Sequence, residues 1–117
     1  AFYNGYNVAV VGNGYGQGFF IRGNAARPVR SIGGWTQLTF RVAPRLDFHL
    51  FTGQQDDRNR DLDGDRIAKN LQYGGNLFYR LAPNVLLGLE TTQVRTMYLV
   101  QGLRINNHYD LALAYRF

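Results

Sequence analysis

From Gly33 to Phe117 apolar and polar residues change places at nearly every step. In GGWTQLTFRV, Thr36, Leu38, Phe40 and Val42 share one parity, and Trp35, Gln37, Thr39 and Arg41 the other. Successive side chains on a strand point to opposite faces, so a period of two predicts a strand with one apolar face. Ala43-Pro44-Arg45 predicts a tight turn, after which Leu46, Phe48 and Leu50 alternate with Asp47, His49 and Phe51 to about Gln54. Gln55–Arg66 is a long charged loop. Alternation resumes with Leu71, Tyr73, Leu77, Tyr79 and Leu81 against Asn70, Gln72, Asn76, Phe78 and Arg80. Ala82-Pro83-Asn84 predicts a second tight turn. Val85, Leu87 and Leu89 then oppose Leu86, Gly88, Glu90 and Thr92. Val100–Asn106 is expected to be a loop, and Asn107–Phe117 the last strand.

A repeat ties these strands together. Phe40-Arg41-Val42-Ala43-Pro44 and Tyr79-Arg80-Leu81-Ala82-Pro83 are one device, 39 residues apart, and Tyr115-Arg116-Phe117 repeats its first half. Aromatic–Arg–apolar therefore closes three strands that run in the same direction. Their other ends are expected to join through longer loops at 24–32, 55–66 and 100–106. Short turns on one side and long polar loops on the other is the asymmetry of outer-membrane barrels.

The first 32 residues are less regular. Val8–Val11 is β-prone, and glycine at 12, 14, 16 and 18 suits either a strand with one crowded face or a loop. Residues 15–23 are expected to form a strand, and Asn24–Ile32, which contains Pro28, a loop.

The last eleven residues, NHYDLALAYRF, set Tyr109, Leu111, Leu113, Tyr115 and Phe117 on one face. His108, Asp110, Ala112, Ala114 and Arg116 lie on the other. Aromatic rings at the ends of an aliphatic stripe match a strand that crosses a bilayer in about 9–11 residues. This ending resembles the C-terminal strand of bacterial outer-membrane β-barrel proteins. There a terminal Phe, an aromatic two residues earlier and alternate apolar residues form the signal read by the barrel-assembly machinery. Tyr109, Leu111, Leu113, Tyr115 and Phe117 occupy those places. With the repeat included, Gly33–Phe117 resembles the C-terminal hairpins of a porin-like protein. The resemblance implies an all-β, antiparallel, up-and-down transmembrane barrel, or the C-terminal strands of a larger one. It also implies the bacterial outer membrane as location, and lipid, lipopolysaccharide and the assembly machinery as partners.

Composition narrows the field. At 117 residues the chain is one domain at most, taken as a single barrel segment with an ill-defined 1–32 and five antiparallel strands over 33–117. Without cysteine there is no disulfide framework and no thiolate site. The net charge of +5 is carried by scattered arginines and one lysine, not by the clustered basic stripe of a nucleic-acid binder. No run of about 18 apolar residues predicts a transmembrane helix, which leaves a barrel untouched. Abundant Tyr, Phe and Gly with three prolines favour an all-β protein.

Alternation points Gln37, Thr39, Arg41, Asp47, His49, Asn70, Gln72, Asn76, Arg80, Glu90, Asp110 and Arg116 inward. Arg41, Arg80 and Arg116 are expected at one level, near the periplasmic mouth. They could ring an aqueous pore and bias permeation, brace the lumen through ion pairs with Glu90, Asp47 or Asp110, or anchor the barrel at the interface. Asp61, Asp63 and Asp65 in DLDGD have the spacing of a calcium loop. Arg66 and Gln72 stand where such a loop requires Gly and Glu, so a salt-bridged solvated loop is favoured and no metal is assigned. His49 and His108 have no partner at ligand spacing, and Ser31 lies in an expected loop, so no catalytic group and no enzyme activity are assigned. GNGYGQG is not followed by a helix and is no phosphate cradle. No cofactor is implied.

Six strands fall short of the eight of small single-chain barrels, and an open sheet in lipid leaves edge groups unsatisfied. The chain is therefore expected to be the C-terminal part of a larger barrel. Closure by a homo-oligomer, or two more short strands within 1–32, are the alternatives. The expected function is a porin-like channel for passive diffusion of small polar solutes. Two others stay open: a closed barrel acting as surface adhesin or scaffold through its long loops, and a soluble β-barrel binding a small apolar ligand.

Overall fold

The structure, a computed structural model, describes residues 1–6 and 18–117. It is all-β and antiparallel, with no α-helix among the described residues. Six strands form an up-and-down sheet in the order β1 (Phe2–Tyr6), β4 (Arg30–Ala43), β5 (Leu46–Asp57), β6 (Ile67–Ala82), β7 (Val85–Tyr98), β8 (Gly102–Tyr115). Between β1 and β4 the hairpin of β2 (Phe19–Arg22) and β3 (Ala25–Pro28) forms a separate two-stranded sheet. The large sheet is open, with β1 and β8 at its edges.

The Ala-Pro repeat has one local structure in both copies. Pro44-Arg45 and Pro83-Asn84 are two-residue connections, and each is preceded by a register shift, at Arg41/Ala43 and Arg80/Ala82. Val42 and Leu81 are the extra residues of two bulges, which add twist beside the turn. Both turns lie at one end of the sheet, the turn side.

At the opposite end the strands run further than alternation predicts. Arg30–Ile32, Gln55–Asp57 and Gly102–Asn106 were expected in loops and are strand. Ala25–Pro28, also inside an expected loop, is β3. Gln55, Asp57 and Ser31 are buried, paired across β4 and β5. The β7–β8 connection is a three-residue turn, Leu99–Gln101, and Gly102 takes φ 76° as the chain re-enters the ladder. Only two of the three connections on this side are long. Leu103 and Ile105 extend the apolar parity of Tyr109–Tyr115, so β8 runs through what composition alone suggests is a loop. Residue 18 precedes β2, so the expected strand at 15–23 is shown only as Phe19–Arg22; Val8–Val11 lies outside the described residues.

The ladder carries two unlike faces. One bears Thr36, Leu38, Phe40, Val42, Leu46, Phe48, Leu50, Leu77, Tyr79, Leu87, Leu89, Tyr109, Leu111, Leu113 and Tyr115, as alternation predicts. Many of its large apolar side chains lie open: Leu38 is 58% exposed and Leu111 73%. The other face holds Ser31, Gln55, Asp57, Asn70, Thr92 and Val94, all buried. The apolar cluster buried among the described residues is small, being Val29, Leu62 and Ala68. The sheltered face is the polar one.

Candidate functional site

The sheltered face divides into three zones along the strands. On the turn side stand the arginines of the repeat. Arg41 is paired across the β4–β5 hairpin with Asp47, its Nε 3.2 Å from Oδ1. Arg80 and Arg116 have no ion pair among the described residues, and they line one hollow of about 170 Å³ with Pro83, Asn84, Val85 and Leu86. The backbone fixes both: the Arg80 N–H donates to the Arg45 carbonyl at 2.8 Å, and the Arg116 N–H to the Asn84 carbonyl at 2.9 Å.

The three arginines do not share one row of the ladder. Arg41 is opposite Asp47, which is opposite Phe78, so Arg80 lies two residues nearer the turn side. Arg80 is opposite Leu86, which is opposite Ala114, and Arg116 is again two residues on. The offset is thus two residues for every two strands. Two residues of rise against two inter-strand spacings, about 6.8 Å against 9.6 Å, is an inclination of roughly 35°.

The middle zone is a cross-strand row of Thr39, His49, Asn76, Glu90 and Asp110. Thr39 Oγ1 lies 2.8 Å and Gln37 Nε2 3.2 Å from His49 Nδ1, and the His49 ring meets the edge of Phe78. Asn76 Nδ2 donates to Glu90 Oε2 at 3.0 Å, and the Thr92 hydroxyl to Glu90 Oε1 at 3.2 Å. Asn76 Oδ1 is enclosed without a partner. Of the pairs of Arg41, Arg80 and Arg116 with Glu90, Asp47 or Asp110, only Arg41–Asp47 forms among the described residues. Glu90 takes neutral donors, and Asp110 stands opposite it on the edge strand. His49, unremarkable by sequence spacing, is held by residues ten and twelve positions earlier that only the hairpin brings near.

The loop-side zone is the most deeply buried. Ser31 Oγ donates to Asp57 Oδ1 at 2.6 Å, Gln55 Nε2 to the same oxygen at 3.0 Å, and Tyr3 Oη to Gln55 Oε1 at 2.7 Å. Thr96 Oγ1 donates to Asn70 Oδ1 at 2.7 Å. Leu62, carried in by the loop from Arg58 to Arg66, clusters with Val29 and Ala68. The aspartates of that loop serve separate backbone groups. Asp61 Oδ2 accepts the Arg30 N–H, Asp63 Oδ1 the Gly64 N–H, and Asp65 Oδ1 the N–H groups of Val100 and Gln101. No three metal-ligating side chains gather among the described residues.

Aromatic rings also fill this face by lying on glycines of the adjacent strand: Tyr3 on Gly33, Phe51 on Gly74 and Phe78 on Gly88. Each pair is directly opposite in register. The signal was present in sequence as inward glycines and inward aromatics, but register alone matches them.

On the apolar face Tyr109, Leu111, Leu113 and Tyr115, expected from the resemblance to act as an assembly signal, form one exposed stripe on β8, and Phe117 follows beyond it. Above the apolar band the outer face turns polar. The Tyr73 hydroxyl donates to Gln93 Oε1, as does Arg95 Nε at 3.0 Å, and Gln93 Nε2 donates to Asn107 Oδ1 at 2.9 Å. The Arg95 guanidinium sits 5.9 Å from the Tyr73 ring centroid.

No protein-family model, no curated protein and no solved structure matches the chain significantly.

Proposed function

We propose that these strands belong to an outer-membrane β-barrel whose sheltered polar face lines an aqueous passage for small polar solutes. The observation that carries the proposal is the sidedness of the sheet. Leu38, Phe40, Val42, Leu89, Leu111 and Leu113 lie open on one side, while Ser31, Gln55, Asp57 and Asn70 are buried on the other. A soluble protein seldom exposes so continuous an apolar patch, whereas lipid covers one without cost. The soluble, ligand-binding alternative needs the opposite arrangement. Fully extended, the apolar positions from Tyr109 to Phe117 would cover about 27 Å, or about 21 Å of bilayer at a 40° tilt, near the roughly 25 Å band of such barrels.

The arginine offset supports closure. Strands in transmembrane barrels tilt by about 35–45°, and at a tilt of roughly 35° the two-residue steps bring Arg41, Arg80 and Arg116 to one height. The outer edge of β8, and that of β4 beyond its pairing with β1, then require further strands, because unpaired backbone groups in hydrocarbon cost several kcal/mol each. Whether another part of the polypeptide or further copies supply them, the alternating strand directions accept the next strand antiparallel.

A second reading, a closed barrel serving as scaffold or adhesin, draws on the buried loop-side zone, where Leu62 and the Asp57 network occupy the sheltered face. Conductance in planar bilayers separates the two. Discrete current steps are expected for a passage; a protein that inserts but never conducts is a scaffold. A folded monomer that stays soluble without detergent rules out both.

A further inference from the structure

Resting on that reading, we infer that the turn-side mouth is an anion site and that the passage favours small solutes bearing a carboxylate or phosphate. Charge at this end is unbalanced. Its side-chain carboxylate, Asp47, is already 3.2 Å from Arg41. Arg45, Arg80 and Arg116 have no ion pair among the described residues. The Arg45 carbonyl holds the Arg80 N–H, which keeps these two residues adjacent, and Arg80 and Arg116 share the hollow beside Pro83-Asn84. Each free guanidinium offers several N–H donors and no acceptor, so a planar or tetrahedral oxyanion is its natural partner. Pro83, Val85 and Leu86 add an apolar wall, suited to the carbon skeleton of an organic acid. The carboxylates of the middle zone do not compete for the arginines: Glu90 is held by Asn76 and Thr92, and neither it nor Asp110 reaches a cation. An anion entering from the turn side therefore meets attraction at the mouth before the acidic row.

The test uses the full-length protein, in planar bilayers under a potassium chloride gradient and in detergent with inorganic phosphate or acetate as probe. In wild type the reversal potential should have the sign of chloride preference. The double variant R80Q/R116Q should move it toward zero and weaken phosphate binding, seen as phosphorus NMR line width, roughly tenfold. R95Q, on the outer face, should change neither. Cation preference in wild type, or a double variant that behaves as wild type, overturns the inference. Absence of any conductance overturns the passage reading itself, and phosphate titration then decides the anion site alone: no binding, or binding indifferent to R80Q/R116Q, sinks it. Stronger binding of acetate than phosphate assigns the site to carboxylates, and the reverse order to phosphates.

Discussion

The ring of Phe78 covers Gly88 on the neighbouring strand so closely that a methyl group at position 88 would stand 2.8 Å from ring carbon Cε1. Phe51 on Gly74 and Tyr3 on Gly33 repeat the relationship across two other strand pairs. Glycine here leaves room for a neighbour's ring, and the ring covers backbone that a side chain would otherwise cover. Gly88→Ala should therefore destabilise by about 1–3 kcal/mol through overpacking. In Phe78→Leu the same alanine should cost less. Urea midpoints of the four proteins, in detergent or vesicles, give the coupling; additive costs would show that ring and glycine act independently.

Asp57 is 2% exposed and accepts from both Ser31 and Gln55. Replacing it with alanine leaves two buried donors without an acceptor, a loss of about 1–3 kcal/mol. Asn in its place retains one acceptor oxygen and should lose less. The same urea midpoints report it, and an unchanged midpoint in Asp57→Ala would mean that water already reaches the loop-side zone.

Asp65 pins the β7–β8 turn to the long loop through the amides of Val100 and Gln101. Asp65→Ala should speed hydrogen exchange at those two amides, at a global cost of only about 1 kcal/mol. Exchange along the Val85–Leu89 stretch of β7 should be unchanged, because its ladder partners lie on the turn side.

Sidedness can be read one substitution at a time. Leu89→Arg, on the apolar band and 50% exposed, should cost about 2–4 kcal/mol in a bilayer and reduce the inserted fraction. Thr39→Arg, on the opposite face, should leave insertion intact. Fraction folded in vesicles is the measurement, and the reverse order would turn the sheet inside out.

On the turn side the sequence is an accurate guide. From Leu38 to Leu50 and from Leu77 to Leu89 one parity is apolar throughout, and the strands, turns and faces read there are those observed, with Phe51, Phe78 and Leu86 as apolar residues on the inward face. On the loop side contrast fades: the outward residues Thr52, Gln54, Asp56, Gln93 and Asn107 are as polar as the inward Gln55, Asp57 and Asn106. Parity then carries no information, and Gln55–Asp57 and Gly102–Asn106 pass for loops. Gly102 was the available cue, since glycine at a positive φ commonly ends a three-residue hairpin.

Alternation by itself determined which residues share a face, because the period of two is a property of any extended chain. It also determined, through the Aromatic–Arg–apolar repeat, where the strands turn. Only the tertiary structure decided which residues are neighbours. The register put Arg41 on Asp47 and left Arg80 and Arg116 free, gave Glu90 to Asn76, and laid Phe78 on Gly88. Hydrogen-bond pairing between strands is blind to side chains at the level of one sequence, and a slide of two residues preserves every face while changing every partner.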